Sequence, residues 1–216
     1  MQVPYQVVAH FLVDLDSYKL FIEISERNWI EESERYRSSI LEDDEPTLHR
    51  FNYRRDLASK LNDEFPQYQR KSYLIMLVSI FEDFMNQLCR SVEADLDIKA
   101  SFTDFTGSGI ERAKQYLTKL SSLSLPVSGK EWKQIKDAQA IRNVIAHAAG
   151  HIDKKAHAKQ LKIIEYNDNL EAEYYSRTHL NIDSDYVFNL VTSMKVFTDK
   201  LLAECEKLPN KKINKD

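Results

Sequence analysis

Hydrophobic residues near the start of the chain fall at Val7, Val8, Phe11, Leu12, Leu15, Tyr18, Phe21 and Ile22, the three-and-four spacing of one helix face. This predicts a long amphipathic helix from Pro4 to Leu41. The acidic run Glu42-Asp43-Asp44-Glu45 and then Pro46 break it, and Leu48, Phe51, Leu57 and Leu61 predict a second helix that ends before Pro66. Residues 67–98 form the most apolar helix. Leu74, Leu77, Phe81, Phe84 and Leu88 share one face, and Ile75, Ser79, Glu82 and Asn86 form a smaller, more polar stripe beside it. A carboxylate on such a stripe either faces solvent or lines a cleft, which singles out Glu82.

Gly107 and Gly109 mark a loop, Ile110 to Leu123 reads as a short basic helix, and Pro126 breaks the chain again. Ser128-Gly129-Lys130-Glu131 has capping-box spacing and predicts a helix through Trp132, Ile135, Ala138, Ile141, Val144 and Ile145, stopped by Gly150 in the left-handed conformation. Alternation in Leu161-Lys162-Ile163-Ile164-Glu165-Tyr166 and in residues 170–175, around Asn167-Asp168-Asn169, predicts a β-hairpin at about 161–175. Asp183 or Ser184 then caps a final helix through Leu202, and the lysine-rich end from 207 to 216 reads as a frayed tail. The fold class expected is mainly α with one small hairpin before the last helix.

Composition agrees with that pattern. Only four of 216 residues are glycine, which disfavours turn-rich sandwiches and nucleotide folds built on glycine loops. The uncharged stretch Ser72–Phe81 is far too short to cross a bilayer, and Met1-Gln2-Val3-Pro4 lacks the regions of a secretory signal, so a cytoplasmic protein is expected. Cys89 and Cys205 have no metal-binding spacing and read as reduced core thiols. The formal charge of −4 hides an asymmetry. Between Glu111 and Lys162 there are eleven Lys/Arg against four Asp/Glu, a basic segment suited to a polyanion.

Within that segment, Ile141-Arg142-Asn143-Val144-Ile145-Ala146-His147-Ala148-Ala149-Gly150 places an arginine, an amide and an imidazole at a helix C-terminus. Asn143 and His147 are four apart and share a face, and Arg142 lies about 100° round the helix, within reach of the same space. A guanidinium suits phosphate, and an imidazole transfers protons near neutrality. A helix C-terminus favours positive charge, which suits an acid that protonates a leaving oxygen. His147, His151 and His157 do not make a metal site, because Gly150 interrupts their register and no carboxylate is suitably spaced. No serine-hydrolase elbow or phosphate-binding glycine loop is present.

The R-N-x-x-x-H run, preceded by the apolar helix Tyr73–Phe84, resembles the HEPN family, particularly its RiboL-PSP-like and toxin-type members. The resemblance covers roughly residues 67–206. It implies a HEPN-like helical domain at 66–206, an N-terminal helical extension at 1–65, and a homodimer in which two motifs meet in one cleft. It further implies endoribonuclease activity without a metal or other cofactor, in a toxin or anti-phage setting, with an antitoxin or regulatory protein as a further partner. Arg142 would stabilise phosphorane charge, His147 would transfer a proton or orient the phosphate, Asn143 would position the motif, and Glu82 would hold Arg142 or His147. Ala149 stands where toxins controlled by a nucleotidyltransferase carry tyrosine, so that mode of control is not implied. The same residues also allow a non-catalytic module that binds RNA or nucleotide or serves assembly.

Overall fold

Residues 3–41, 48–96, 100–107, 109–121, 123–174 and 178–207 are described by the computed structural model. Among them the chain forms seven α-helices and one two-stranded antiparallel sheet. The helices are α1 (Val3–Leu41), α2 (Leu48–Ser59), α3 (Phe65–Leu96), α4 (Gly109–Leu120), α5 (Lys130–Ala148), α6 (Ala158–Glu165) and α7 (Ser184–Glu206), with strands β1 (Leu170–Tyr174) and β2 (Thr178–Ile182) before the last helix. The acidic run at 42–45, Pro46 and the expected tail from 208 onward lie outside the described residues. No helix among the described residues is long and apolar enough to cross a membrane.

Two expectations need correction. The segment Leu161–Tyr166 is not a strand: residues 158–165 are helix α6, and the hairpin lies at 170–182. Leu161 and Ile164 are three apart as well as alternating, and burial of Ile164 selects the helical choice. Asn167 does make a turn, but it joins helix to strand; its side chain accepts from Asn169 N–H at 3.1 Å and its carbonyl from Leu170 N–H at 3.0 Å. Nor does the chain leave helical geometry before Pro66. Residues Lys60–Glu64 form a π-helical turn, Phe65 N–H bonds Lys60 C=O, and α3 starts at once. The wider turn accommodates the residue that lacks an amide hydrogen and would crowd the carbonyl four positions back.

The chain divides into two compact units, one of Met1–Ser17, Met76–Ala140 and Asn189–Asp216, the other of Tyr18–Ile75 and Ile141–Phe188. The first has an aromatic core. Phe81, fully buried, meets the edges of Phe11 and Phe197, Phe11 stacks on Phe84 at 4.1 Å, and Trp132 stacks on Phe197 at 5.4 Å. Burying a side chain of that size stabilises by about 1.5–3 kcal/mol. Cys89 lies in the same core, its thiol donating to Ala113 C=O at 3.7 Å, and burial pushes its pKa up to about 12.

The second unit adds polar side-chain contacts to its buried apolar residues. Arg70 on α3 grips the carboxylate of Glu26 on α1, with Nε 3.0 Å from Oε1 and Nη2 2.7 Å from Oε2. Gln67 acts as a substitute strand for Ile182, donating to its carbonyl and accepting from its amide, each at 2.9 Å. The end of β2 therefore keeps no unpaired backbone group beside α3. Trp29 Nε1 donates to Gln69 Oε1 on the same face.

Candidate functional site

Helix α5 opens with Glu131, whose carboxylate accepts from Lys200 Nζ at 3.0 Å; its own amide and Lys200 hold it below the usual carboxylate range. Farther along, Ile141, Val144 and Ile145 are buried, which turns Asn143, Ala146 and His147 outward to solvent. Arg142, between the two faces, is half-buried, and its Nη1 donates to Asn143 Oδ1 at 3.2 Å. This bond directs the guanidinium toward the exposed face, where His147 stands one turn beyond Asn143. His147 lies in the last turn of the helix.

The helix ends as its sequence implies, with one addition. Gly150 has φ of 80°, but Ala149 is also left-handed, at φ 51°. Gly150 N–H reaches back to Val144 C=O at 3.3 Å, and the chain then runs beside β2, with Ile152 N–H bonded to Thr178 C=O and Leu180 N–H to Gly150 C=O, both at 3.0 Å. The segment that leaves the motif thus runs beside β2 as an isolated antiparallel bridge, outside the two-stranded sheet.

That pairing sets His151 opposite His179, with ring centroids 4.3 Å apart at 61°. His179 in turn faces Glu173 across the hairpin. The side chain of Lys71, on α3, lies over Gly150; burial lowers the Lys71 pKa, and the charge of Glu173 opposes that shift. Sequence reading did not pick out Lys71, Glu173 or His179. Their grouping depends on strand register and on packing of α3, neither of which has a local signal.

Glu82 is half-buried in the first unit. Its carboxylate lies against the first residue of α4, 2.8–3.0 Å from where a Cβ on Gly109 would stand. Gly109, at φ 55°, is required there both by its dihedral and by this approach, and a carboxylate at a helix N-terminus is electrostatically favourable. The structure therefore brings Arg142, Asn143 and His147 together on α5 in the second unit and places Glu82 at the start of α4 in the first.

The basic segment is partly neutralised. Glu111 takes Lys114 at 3.2 Å and Lys136 at 3.4 Å, and Lys133 pairs with Asp137 at 2.8 Å. In the second unit Lys154, Lys155, Lys159 and Lys162 are exposed just after the motif. His157 Nδ1 accepts from Asp153 N–H at 3.0 Å, so that imidazole stabilises a turn. Among the described residues no group of three or more His, Cys, Asp or Glu could hold a metal ion. Compared with models of protein families, with characterised proteins and with solved structures, the chain has no match.

Proposed function

We propose that this protein is a metal-independent endoribonuclease of the HEPN type, acting at a cleft formed by two copies of the chain. The observation that carries this reading is the ordered trio on α5: Arg142 bonded to Asn143 at 3.2 Å, with His147 exposed one turn on. In the reaction the ribose 2′-oxygen bonds to the adjacent phosphorus while the bond from phosphorus to the 5′-oxygen breaks. The 2′-hydroxyl proton passes to a base and the leaving 5′-oxygen takes a proton from an acid. The products are a 2′,3′-cyclic phosphate and a 5′-hydroxyl. Arg142 offsets the charge that builds on the phosphorane oxygens.

A single chain offers one imidazole at this position, whereas the reaction uses a base and an acid. It also leaves Asn143 and His147 open to water. A two-fold pair of motifs supplies the second imidazole and covers both, which supports the homodimer. The exposed lysines from Lys154 to Lys162 provide attraction for the RNA backbone. A toxin or anti-phage role, with or without an antitoxin, belongs to the same proposal and is tested by growth after induced expression.

Purified protein should cut single-stranded RNA in excess chelator, and Arg142→Ala and His147→Ala should each stop it. Mixing wild type with excess His147→Ala should lower its activity, because a mixed pair keeps only one of the two imidazoles that the shared cleft uses. Cutting that persists in His147→Ala rejects the site. Salt-sensitive RNA binding without cyclic-phosphate products would identify a non-catalytic binding module instead.

A further inference from the structure

Beside the motif, the same unit gathers a second group of ionisable side chains that the proposed chemistry leaves unused. Glu173, His179 and His151 are consecutive partners across β1, β2 and the segment that follows α5. Directly opposed residues of antiparallel strands point to one face, so the three side chains form a transverse row. Lys71 approaches this row from α3, over Gly150 and within the electrostatic reach of Glu173.

We propose that Lys71, His151 and His179 form a second phosphate-binding position, next along the strand from the phosphate held by Arg142 and His147. RNA as the source of that phosphate rests on the ribonuclease reading; the chemistry of the position does not. Three arguments carry it. Firstly, the row is close to the motif by construction: His151 follows His147 by four residues, which limits their Cα separation to about 14 Å even if fully extended. Secondly, His151 Nδ1 is buried without a hydrogen-bond partner. With Nδ1 enclosed, Nε2 is the ring atom left to meet an incoming oxygen. Thirdly, a partly desolvated ammonium gains more from an added anion than an exposed one does. The Lys71 ammonium offsets the charge of Glu173, and the two imidazoles add ring nitrogens that can hydrogen-bond a phosphodiester oxygen.

A purely structural row, in which the two histidines only fasten the end of α5 to the hairpin, makes the opposite forecast for one variant. Removing the charge of Glu173 leaves that fastening unchanged or weaker, but removes a repulsive group from an anion site.

The test uses the full chain and a single-stranded 2′-O-methyl RNA, which has no free 2′-hydroxyl and is not cut, with binding measured by fluorescence anisotropy. Lys71→Met and His179→Gln should each weaken binding by about five-fold or more, and Lys71→Met should lower the slope of log affinity against log salt by about 0.7, the value for one single-strand phosphate contact. Glu173→Gln should tighten binding by about two-fold or more, the sign expected when a like charge leaves an anion site. Inorganic phosphate as competitor separates the sources: displacement of the oligomer from wild type but not from Lys71→Met means a position for any phosphate, and absence of displacement means one that needs the strand. Unchanged affinity in Lys71→Met, whose substitution leaves the hairpin pairing in place, overturns the proposal, as does weaker binding in Glu173→Gln. Cleavage of unmodified RNA is measured alongside. Cutting with variant-insensitive binding rejects this position and leaves the ribonuclease reading intact; no cutting with variant-sensitive binding does the reverse.

Discussion

The two ends of helix α5 are built from the same kinds of residue and used in opposite ways. At its start, Glu131 is taken by Lys200, Trp132 is stacked on Phe197, and Ile135 and Ala138 are fully buried. At its end, Arg142 is half-buried, Asn143 and His147 face solvent, and two left-handed residues turn the chain away. Polar groups at the first end are matched to partners that fix the fold. Those at the second stay accessible, held in place by a buried backing of Ile141, Val144 and Ile145. Polar groups presented over a packed apolar backing are the arrangement that catalysis or binding needs, since the backing supplies the positioning.

Substitutions at the two ends should therefore fail in different assays. The largest effect expected is on activity: His147→Ala should lower RNA cleavage by about 10²–10⁴-fold, the usual contribution of a positioned acid or base, with the thermal midpoint unchanged because the side chain is exposed. In the aromatic core that receives the first end, Phe81→Ala should cost about 3–5 kcal/mol in denaturant unfolding, as for other buried aromatic truncations. A smaller loss, about 1–3 kcal/mol, is expected for Gly109→Ala, which combines a left-handed dihedral with a clash against Glu82.

Alkaline pH should act on the core. Burial raises the pKa of Cys89 and Tyr116 to about 12 and of Cys205 to about 11. Each group then loses its proton more readily unfolded than folded, so stability is full below about pH 9 and falls as pH rises toward these folded values, by on the order of 1 kcal/mol per group and pH unit. Denaturant midpoints across pH 8–11, with Cys89→Ala as control, measure the slope. The smallest effect is a gain: Ala149→Gly should add about 0.5–1 kcal/mol by relieving the left-handed alanine at the other end of α5. A loss there would show that packing, rather than dihedral strain, governs the helix stop.

Much of this contrast was legible in the sequence because it is local. The spacing of Phe11, Leu15 and Ile22 foretold α1, Gly150 foretold the helix stop, and Asp183 caps α7 through a bond from Asp185 N–H. Arg142, Asn143 and His147 were visible for the same reason, since a helix repeat alone puts them together. Leu161–Tyr166 misled because a short apolar run fits both periods and only burial decides between them. Glu131 illustrates another limit: sequence spacing pointed to Ser128, whereas the partner that packing brings is Lys200, 69 residues away. Pairings such as Gln67 with Ile182, Arg70 with Glu26 and His151 with His179 leave no periodic trace at all.

The central claim is that the exposed end of α5 performs metal-free transesterification of RNA. Its most direct test is the chemistry of the ends produced when purified wild type and His147→Ala act on a defined single-stranded RNA in excess chelator, read by mass spectrometry. The account predicts 2′,3′-cyclic phosphate and 5′-hydroxyl termini from wild type and uncut RNA from the variant. Products bearing 5′-phosphates, or the same products from both proteins, would contradict it.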